Sequence, residues 1–128
     1  MHRRHETLPG DILDPLVMRL SFGGDKSFIC DTMRMYVRDA PGMAHEVLAA
    51  VREEDNGQLA SRAHALKGMT GYFTRADLYK SCLELEMLGR SQGLPLQSVH
   101  ALGLWAGLNV RLADTLKAME RYIALHGQ

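Results

Sequence analysis

Apolar residues recur three and four positions apart along most of this chain, with polar residues between them. This spacing is typical of amphipathic helices, and no stretch shows the sustained alternation of period two that indicates a strand. Turn-forming residues interrupt the pattern and divide it into blocks. The interruptions are Pro9-Gly10, Gly23-Gly24, Pro41-Gly42, Asn56-Gly57, Thr74, and Gly93 with Pro95.

We therefore predict six helical blocks. Proline is favoured in the first turn of a helix, so Pro41 and Pro95 are both expected to start one. The blocks span residues 11–20, 25–39, a segment after Pro41 that reaches Val51, a segment that includes 60–73, residues 75–90, and a long last helix over 95–125. Because short connections favour antiparallel neighbours, we predict an all-α fold: an antiparallel four-helix bundle with one or two additional short N-terminal helices.

The length and composition indicate a single domain. A chain of 128 residues fits one domain, and we expect residues 1–10 to form a mobile arm ahead of one helical domain over 11–128. Fifteen basic and fifteen acidic residues give a formal net charge of zero, which argues against a nucleic-acid binder. No apolar run is long enough to span a membrane or to serve as a signal peptide. We therefore expect a cytoplasmic protein, with Cys30 and Cys82 as buried, reduced thiols.

Residues 60–73 read ASRAHALKGMTGYF and place one histidine among small residues. On a helical wheel His64 shares its side with Lys67 and five small residues, and the opposite side is mostly apolar. The small residues are Gly57, Ala60, Ser61, Gly68 and Gly71, and the opposite side carries Leu59, Leu66, Met69, Thr70 and Phe73. An interior glycine costs a helix roughly 1 kcal/mol relative to alanine, so this composition indicates that space around His64 is needed.

A histidine and a lysine three positions apart on one helix face suit phosphoryl transfer. A neutral imidazole is a competent nucleophile, and an ammonium group neutralises charge on phosphoryl oxygens. A solvated histidine and close helix packing would give the same pattern, so the residues alone leave both interpretations open. A metal site in a bundle would need a Glu-x-x-His pair on each of two helices, and no such pair occurs. A carboxylate pair is not expected either, because Glu84 and Glu86 fall on different faces of their helix.

Residues 63–68 read Ala-His-Ala-Leu-Lys-Gly. This segment resembles the A-H-x-L-K-G motif of the histidine-containing phosphotransfer (HPt) domain family, which lies on the second helix of a four-helix bundle. The family's following L-x-x-x-C-x-x-L-E helix is matched in spacing by Leu78, Cys82, Leu85 and Glu86. The resemblance covers about residues 24–92 and, more loosely, the last helix. It departs at residues 72–75, Tyr-Phe-Thr-Arg, where many members have Asn-apolar-Gly-Ala, and this departure concerns partner specificity.

The resemblance implies a carrier in a two-component phosphorelay. His64 would accept a phosphoryl group from an aspartyl-phosphate on a receiver domain and pass it to an aspartate on another receiver. Lys67 would stabilise the phosphoryl charge, and Gly68 would leave clearance for the group. The partner-docking residues would be Ala60, Ser61, Gly71 and Tyr72.

The implied partners are response-regulator receiver domains, hybrid sensor histidine kinases, or both. This chain would bind no cofactor or metal itself, since Mg²⁺ is expected on the partner receiver, and it would act as a monomer. We find no glycine-rich nucleotide loop or kinase motif, so autonomous kinase activity is not expected. The alternative is a non-catalytic helical module that docks a receiver or a kinase without phosphoryl transfer. The joint presence of His64, Lys67 and Gly68 favours the relay.

Overall fold

The computed structural model describes residues 12–127, which contain five helices and no strand. The helices are α1 (Pro15–Phe22), α2 (Lys26–Arg52), α3 (Asn56–Thr70), α4 (Asp77–Arg90) and α5 (Ser98–His126). The predicted all-α fold is therefore confirmed. The arm predicted over residues 1–10 lies outside the described residues. Within the described part, no helix combines the length and the apolar character needed to cross a membrane.

Helices α2 to α5 form a four-helix bundle in which each helix packs against its neighbour in the chain and α5 returns to α2. The connections over residues 53–55, 71–76 and 91–97 are short, which makes consecutive helices antiparallel. Helix α1 is the one additional short helix in this range and packs against α2. The bundle encloses a single apolar core. Its largest fully buried side chains include Met33, Tyr36, Val47, Val51, Leu59, Leu66, Phe73, Leu85, Leu108 and Met119.

The predicted helix break at Pro41 is wrong, because α2 runs through this residue without interruption. A proline inside a helix removes one backbone hydrogen bond and costs about 3 kcal/mol. Residues on both sides of it, such as Tyr36 and Val47, are nevertheless fully buried in the same core. Each buried side chain of this size contributes roughly 1.5 to 3 kcal/mol, so tertiary packing outweighs the local cost. One helix of 27 residues therefore replaces the two predicted blocks.

The last helix starts at Ser98 rather than at the predicted Pro95. The preceding loop is held to α3 by the side chain of Asn56, whose amide oxygen accepts from the Leu94 N–H at 3.0 Å. The Asn56 amide nitrogen donates in return to the Leu94 carbonyl at 3.0 Å. Leu94 is also buried in the core. These contacts fix the backbone just before Pro95 against the bundle, so the helix begins only after the loop.

The two cysteines are buried and free, as predicted from their apolar surroundings. Burial raises the pKa of the Cys82 thiol to about 12. A thiol with such a pKa stays protonated at neutral pH, and only the thiolate is a good nucleophile. Cys82 is therefore a packing residue of α4.

Candidate functional site

His64 lies in the middle of α3 and points out of the bundle, with 60% of its side chain exposed. The helix starts where it does because the Asp55 side chain caps it, accepting from the Gln58 N–H at 3.0 Å. The face opposite His64 is buried and consists of Leu59, Ala63, Leu66 and Thr70. The core therefore fixes the rotation of α3 and directs His64 to the surface.

The contacts of this surface converge on Glu86 of α4, which the sequence analysis did not single out as a site residue. Its side chain is only 5% exposed, yet it contacts three positively charged or titratable groups. The Oε2 atom lies 3.0 Å from His64 Nδ1, and Arg90 donates to the same oxygen from Nε at 2.9 Å and from Nη2 at 2.7 Å. The Lys67 ammonium forms an ion pair with Oε1 at 2.6 Å. His64 and Lys67 are thus brought together through one carboxylate.

The charge state of Glu86 follows from these contacts. Burial alone raises the pKa of a carboxyl group, but the ion pair with Lys67 and the hydrogen bonds with Arg90 and His64 outweigh this effect and lower the pKa of Glu86 to about 2. The carboxylate is therefore ionised throughout the neutral range and can only accept hydrogen bonds. The neutral ring of His64 must then carry its proton on Nδ1, facing Glu86. Its Nε2 atom keeps a free lone pair on the far edge of the ring.

Lys67 is held in place more firmly than a surface lysine. Only 16% of its side chain is exposed. The ammonium lies between the Glu86 carboxylate and the ring of Tyr79, whose centroid is 5.9 Å from Nζ. Arg75 approaches the same ring from the connection before α4, with its Cζ 5.4 Å from the centroid. Lys67 and Arg90 therefore both contact the buried Glu86 carboxylate, and Arg75 lies on the same tyrosine ring as Lys67.

Two glycines near His64, Gly68 on α3 and Gly89 on α4, make room for different things. A Cβ added at Gly68 would meet nothing within 4 Å, so the space there opens away from the protein. Across the helix interface, a Cβ at Gly89 of α4 would come within 2.7 Å of the Ala60 backbone nitrogen. Gly89 therefore lets α4 approach α3 closely, which brings Glu86 and Arg90 beneath His64.

A groove of about 570 Å³ lies beside His64 on the N-terminal half of α3. It is lined by Asn56, Gly57, Ala60, Ser61, His64, Gly89, Arg90 and Gln92. Two of the predicted docking residues, Ala60 and Ser61, belong to it. The other two lie beyond it, at the C-terminal end of α3. Gly71 packs against the Tyr79 ring, and Tyr72 is half-exposed beside Phe22, with ring centroids 6.1 Å apart.

Two signals in the sequence point to the residues that were missed. Glu86 follows Cys82 by four positions, so it falls on the same apolar stripe, and a carboxylate there requires a partner. Arg90 follows Glu86 by another four positions, which is the spacing of a favourable ion pair on a helix. The contact from Glu86 to α3 crosses between helices and leaves no spacing signal.

The family model described as Hpt domain matches residues 31–122 of the chain. The match runs from the first half of α2 to near the end of α5. It includes Glu86 and the three residues that contact it, His64, Lys67 and Arg90. Comparisons with curated proteins and with solved structures give no match. Among residues 12–127, no group of three His, Cys, Asp or Glu side chains is placed to hold a metal ion.

Proposed function

This chain belongs to the Hpt domain family, and on that premise we propose that it is a phosphorelay carrier with His64 as phosphoacceptor. Members of the family transfer phosphoryl groups in two-component signalling and interact with receiver domains and kinases. The observation that carries the proposal is the contact of His64 Nδ1 with the ionised Glu86 at 3.0 Å. In the neutral ring, this contact places the proton on Nδ1 and leaves the lone pair of Nε2 free, on a side chain that is largely exposed.

In the proposed transfer, His64 Nε2 attacks the phosphorus of an aspartyl-phosphate on a receiver domain. An N–P bond forms, and the P–O bond to the aspartate breaks, which releases the aspartate as a carboxylate. The ring keeps its Nδ1 proton and becomes positively charged, and the adjacent Glu86 carboxylate stabilises that charge. Delivery to a second receiver reverses these steps, with its aspartate as the nucleophile. No proton has to move in either direction.

The other residues of the site have electrostatic and steric roles in this proposal. Lys67 and Arg90 offset the negative charge that spreads over the phosphoryl oxygens, since this kind of transfer depends mainly on positioning and electrostatics. Gly68 leaves clearance for the phosphoryl group and the partner. The groove that contains Ala60 and Ser61 receives the receiver domain, and Tyr72 contacts it at the other end of α3. The receiver supplies the Mg²⁺, and this chain acts as a monomer without kinase activity of its own.

The test is phosphoryl uptake by the purified chain. It would be mixed with a panel of phosphorylated receiver domains and Mg²⁺, and acid-labile, base-stable label would be followed on the protein. We expect label on the wild type and none on His64→Gln. His100→Gln is the matched control, because His100 is an exposed helical histidine far along the chain, and it should retain the label. Binding of a receiver without any label would favour the non-catalytic interaction module instead.

A further inference from the structure

Two cationic side chains lie over the ring of Tyr79, in the first turn of α4 and beside the His64 surface. Its ring centroid lies 5.9 Å from Lys67 Nζ and 5.4 Å from Arg75 Cζ. We infer that Tyr79 is a positioning residue, which holds Lys67 and Arg75 in the orientation used during phosphoryl transfer. This inference rests on the proposed function and adds a residue to it.

The position of the ring is fixed by α3. A Cβ on Gly71 would come within 3.2 Å of Tyr79 Cε2, so the ring packs directly on the Gly71 backbone. Gly71 lies four residues after Lys67, one helical turn further along α3. The ring therefore sits beneath the Lys67 side chain. This contact gives Gly71 a role inside the protein, in addition to the docking role predicted from the sequence.

The ring and Glu86 constrain Lys67 from two sides. Glu86 holds the ammonium at 2.6 Å, but a single contact leaves the four-carbon stem free to pivot about that point. The aromatic face offers a second attraction, which restricts the stem to one side of Glu86. Arg75 is exposed, and the same ring holds its guanidinium close to the site. Removing the ring therefore loosens two cations together, although neither charge is lost.

The experiment compares Tyr79→Leu with Tyr79→Phe in single-turnover transfer from a phosphorylated receiver. Tyr79→Phe keeps the ring and should transfer at the wild-type rate. Tyr79→Leu should slow transfer about two- to fivefold, the range expected from a cation–π contact at a partly exposed site. Both variants should bind the unphosphorylated receiver with an affinity close to that of the wild type. A decrease for Tyr79→Leu should be no larger than the contribution that Arg75 makes to this affinity. Equal rates for Tyr79→Leu and wild type would overturn the inference.

A mutant cycle separates positioning from general packing. If Tyr79 acts through the two cations, Tyr79→Leu should cause no further loss of rate in a Lys67→Met, Arg75→Gln background. A loss of the same size in that background would overturn the inference. A second readout does not depend on how well Tyr79→Leu folds. In the wild-type protein, the Lys67 methylene protons next to Nζ should show an upfield ring-current shift in NMR spectra, and its absence would also overturn the inference.

The failure of this inference is distinguishable from failure of the proposed function. If the wild-type protein takes up label and Tyr79→Leu transfers at the same rate, the proposed relay stands and Tyr79 has no role in it. If the wild-type protein takes up no label from any receiver, the proposed relay fails, and the role of Tyr79 in it fails as well.

Discussion

Replacing Glu86 by glutamine tests the centre of the site, because it removes one charge and almost no volume. The contacts that this residue makes in the folded protein lower its pKa from an ordinary value of 4.5 to about 2. A difference of about 2.5 corresponds to about 3 kcal/mol in favour of the charged, folded state. Two partners, His64 and Arg90, are 60% and 55% exposed, and exposed pairs contribute little. We therefore expect Glu86→Gln to lose about 1 to 2 kcal/mol of unfolding free energy at pH 7.

The stability difference between wild type and Glu86→Gln should also change with pH in a defined direction. The folded-state pKa of Glu86 is lowered, so its stabilisation is complete above the unfolded value near 4.5 and is lost as the pH falls toward about 2. The stability gap between wild type and Glu86→Gln should therefore be constant from pH 7 to pH 6 and should shrink by more than half at pH 3. Urea unfolding at a series of pH values measures it. Glu84→Gln is the matched control, since it removes the same charge from an exposed position of the same helix.

The same variant should slow phosphoryl transfer. A hydrogen bond to a carboxylate contributes roughly 1 kcal/mol more than one to a neutral amide, and this difference acts on the positive charge that develops on the His64 ring. We expect transfer from the receiver to slow about five- to tenfold, while Glu84→Gln stays at the wild-type rate. An unchanged rate together with a stability gap that does not vary with pH would refute the assignment of Glu86 as the ionised partner of His64.

Three further substitutions test separate parts of the site. Gly68→Ala should raise the unfolding free energy by up to about 1 kcal/mol, because its new Cβ meets no atom within 4 Å and alanine is favoured over glycine inside a helix. It should nevertheless slow transfer about tenfold or more by occupying the clearance beside His64; an unchanged rate would contradict that role. Gly89→Ala should destabilise the bundle by about 2 kcal/mol or more in thermal unfolding, since its Cβ would lie 2.7 Å from the Ala60 backbone, and an unchanged melting temperature would contradict the close packing. Lys67→Ala should leave receiver binding measurable in a titration and slow transfer about tenfold to a hundredfold; a normal transfer rate would remove Lys67 from the mechanism.

The fold could be predicted from the sequence because each helix carries its own periodic apolar stripe. The error at Pro41 shows the limit of that reasoning. The cost of a proline is local and can be read from one residue, whereas the energy that offsets it comes from side chains such as Tyr36 and Val47, which pack against other helices. The start of α5 was misplaced for a related reason. The hydrogen bonds between Asn56 and Leu94 join residues that are distant in sequence, and no local pattern records them.

The same limit applies to the arrangement of side chains around His64. His64 and Lys67 lie on one helix, so a helical wheel places them together without any tertiary information. Glu86 joins them from a neighbouring helix, and its position depends on how closely α3 and α4 approach and on their relative register. The spacing of residues within one helix predicts neither the distance between α3 and α4 nor their register. The carboxylate that sets the tautomer of His64 was therefore the part of the site that only the packed structure could reveal.

The glycines of the His64 surface show how one sequence feature can serve two physical purposes. Gly68 opens toward space outside the protein, so its small size matters only when something else arrives there. Gly89 faces Ala60 at a distance that no side chain could fill, so its small size matters for the protein alone. The close approach at Gly89 brings Glu86 beneath His64, and the opening at Gly68 leaves the same histidine accessible. A close helix contact below the imidazole and free space beside it are therefore complementary requirements of the proposed transfer, in which the first would orient the nucleophile and the second would admit the phosphoryl group.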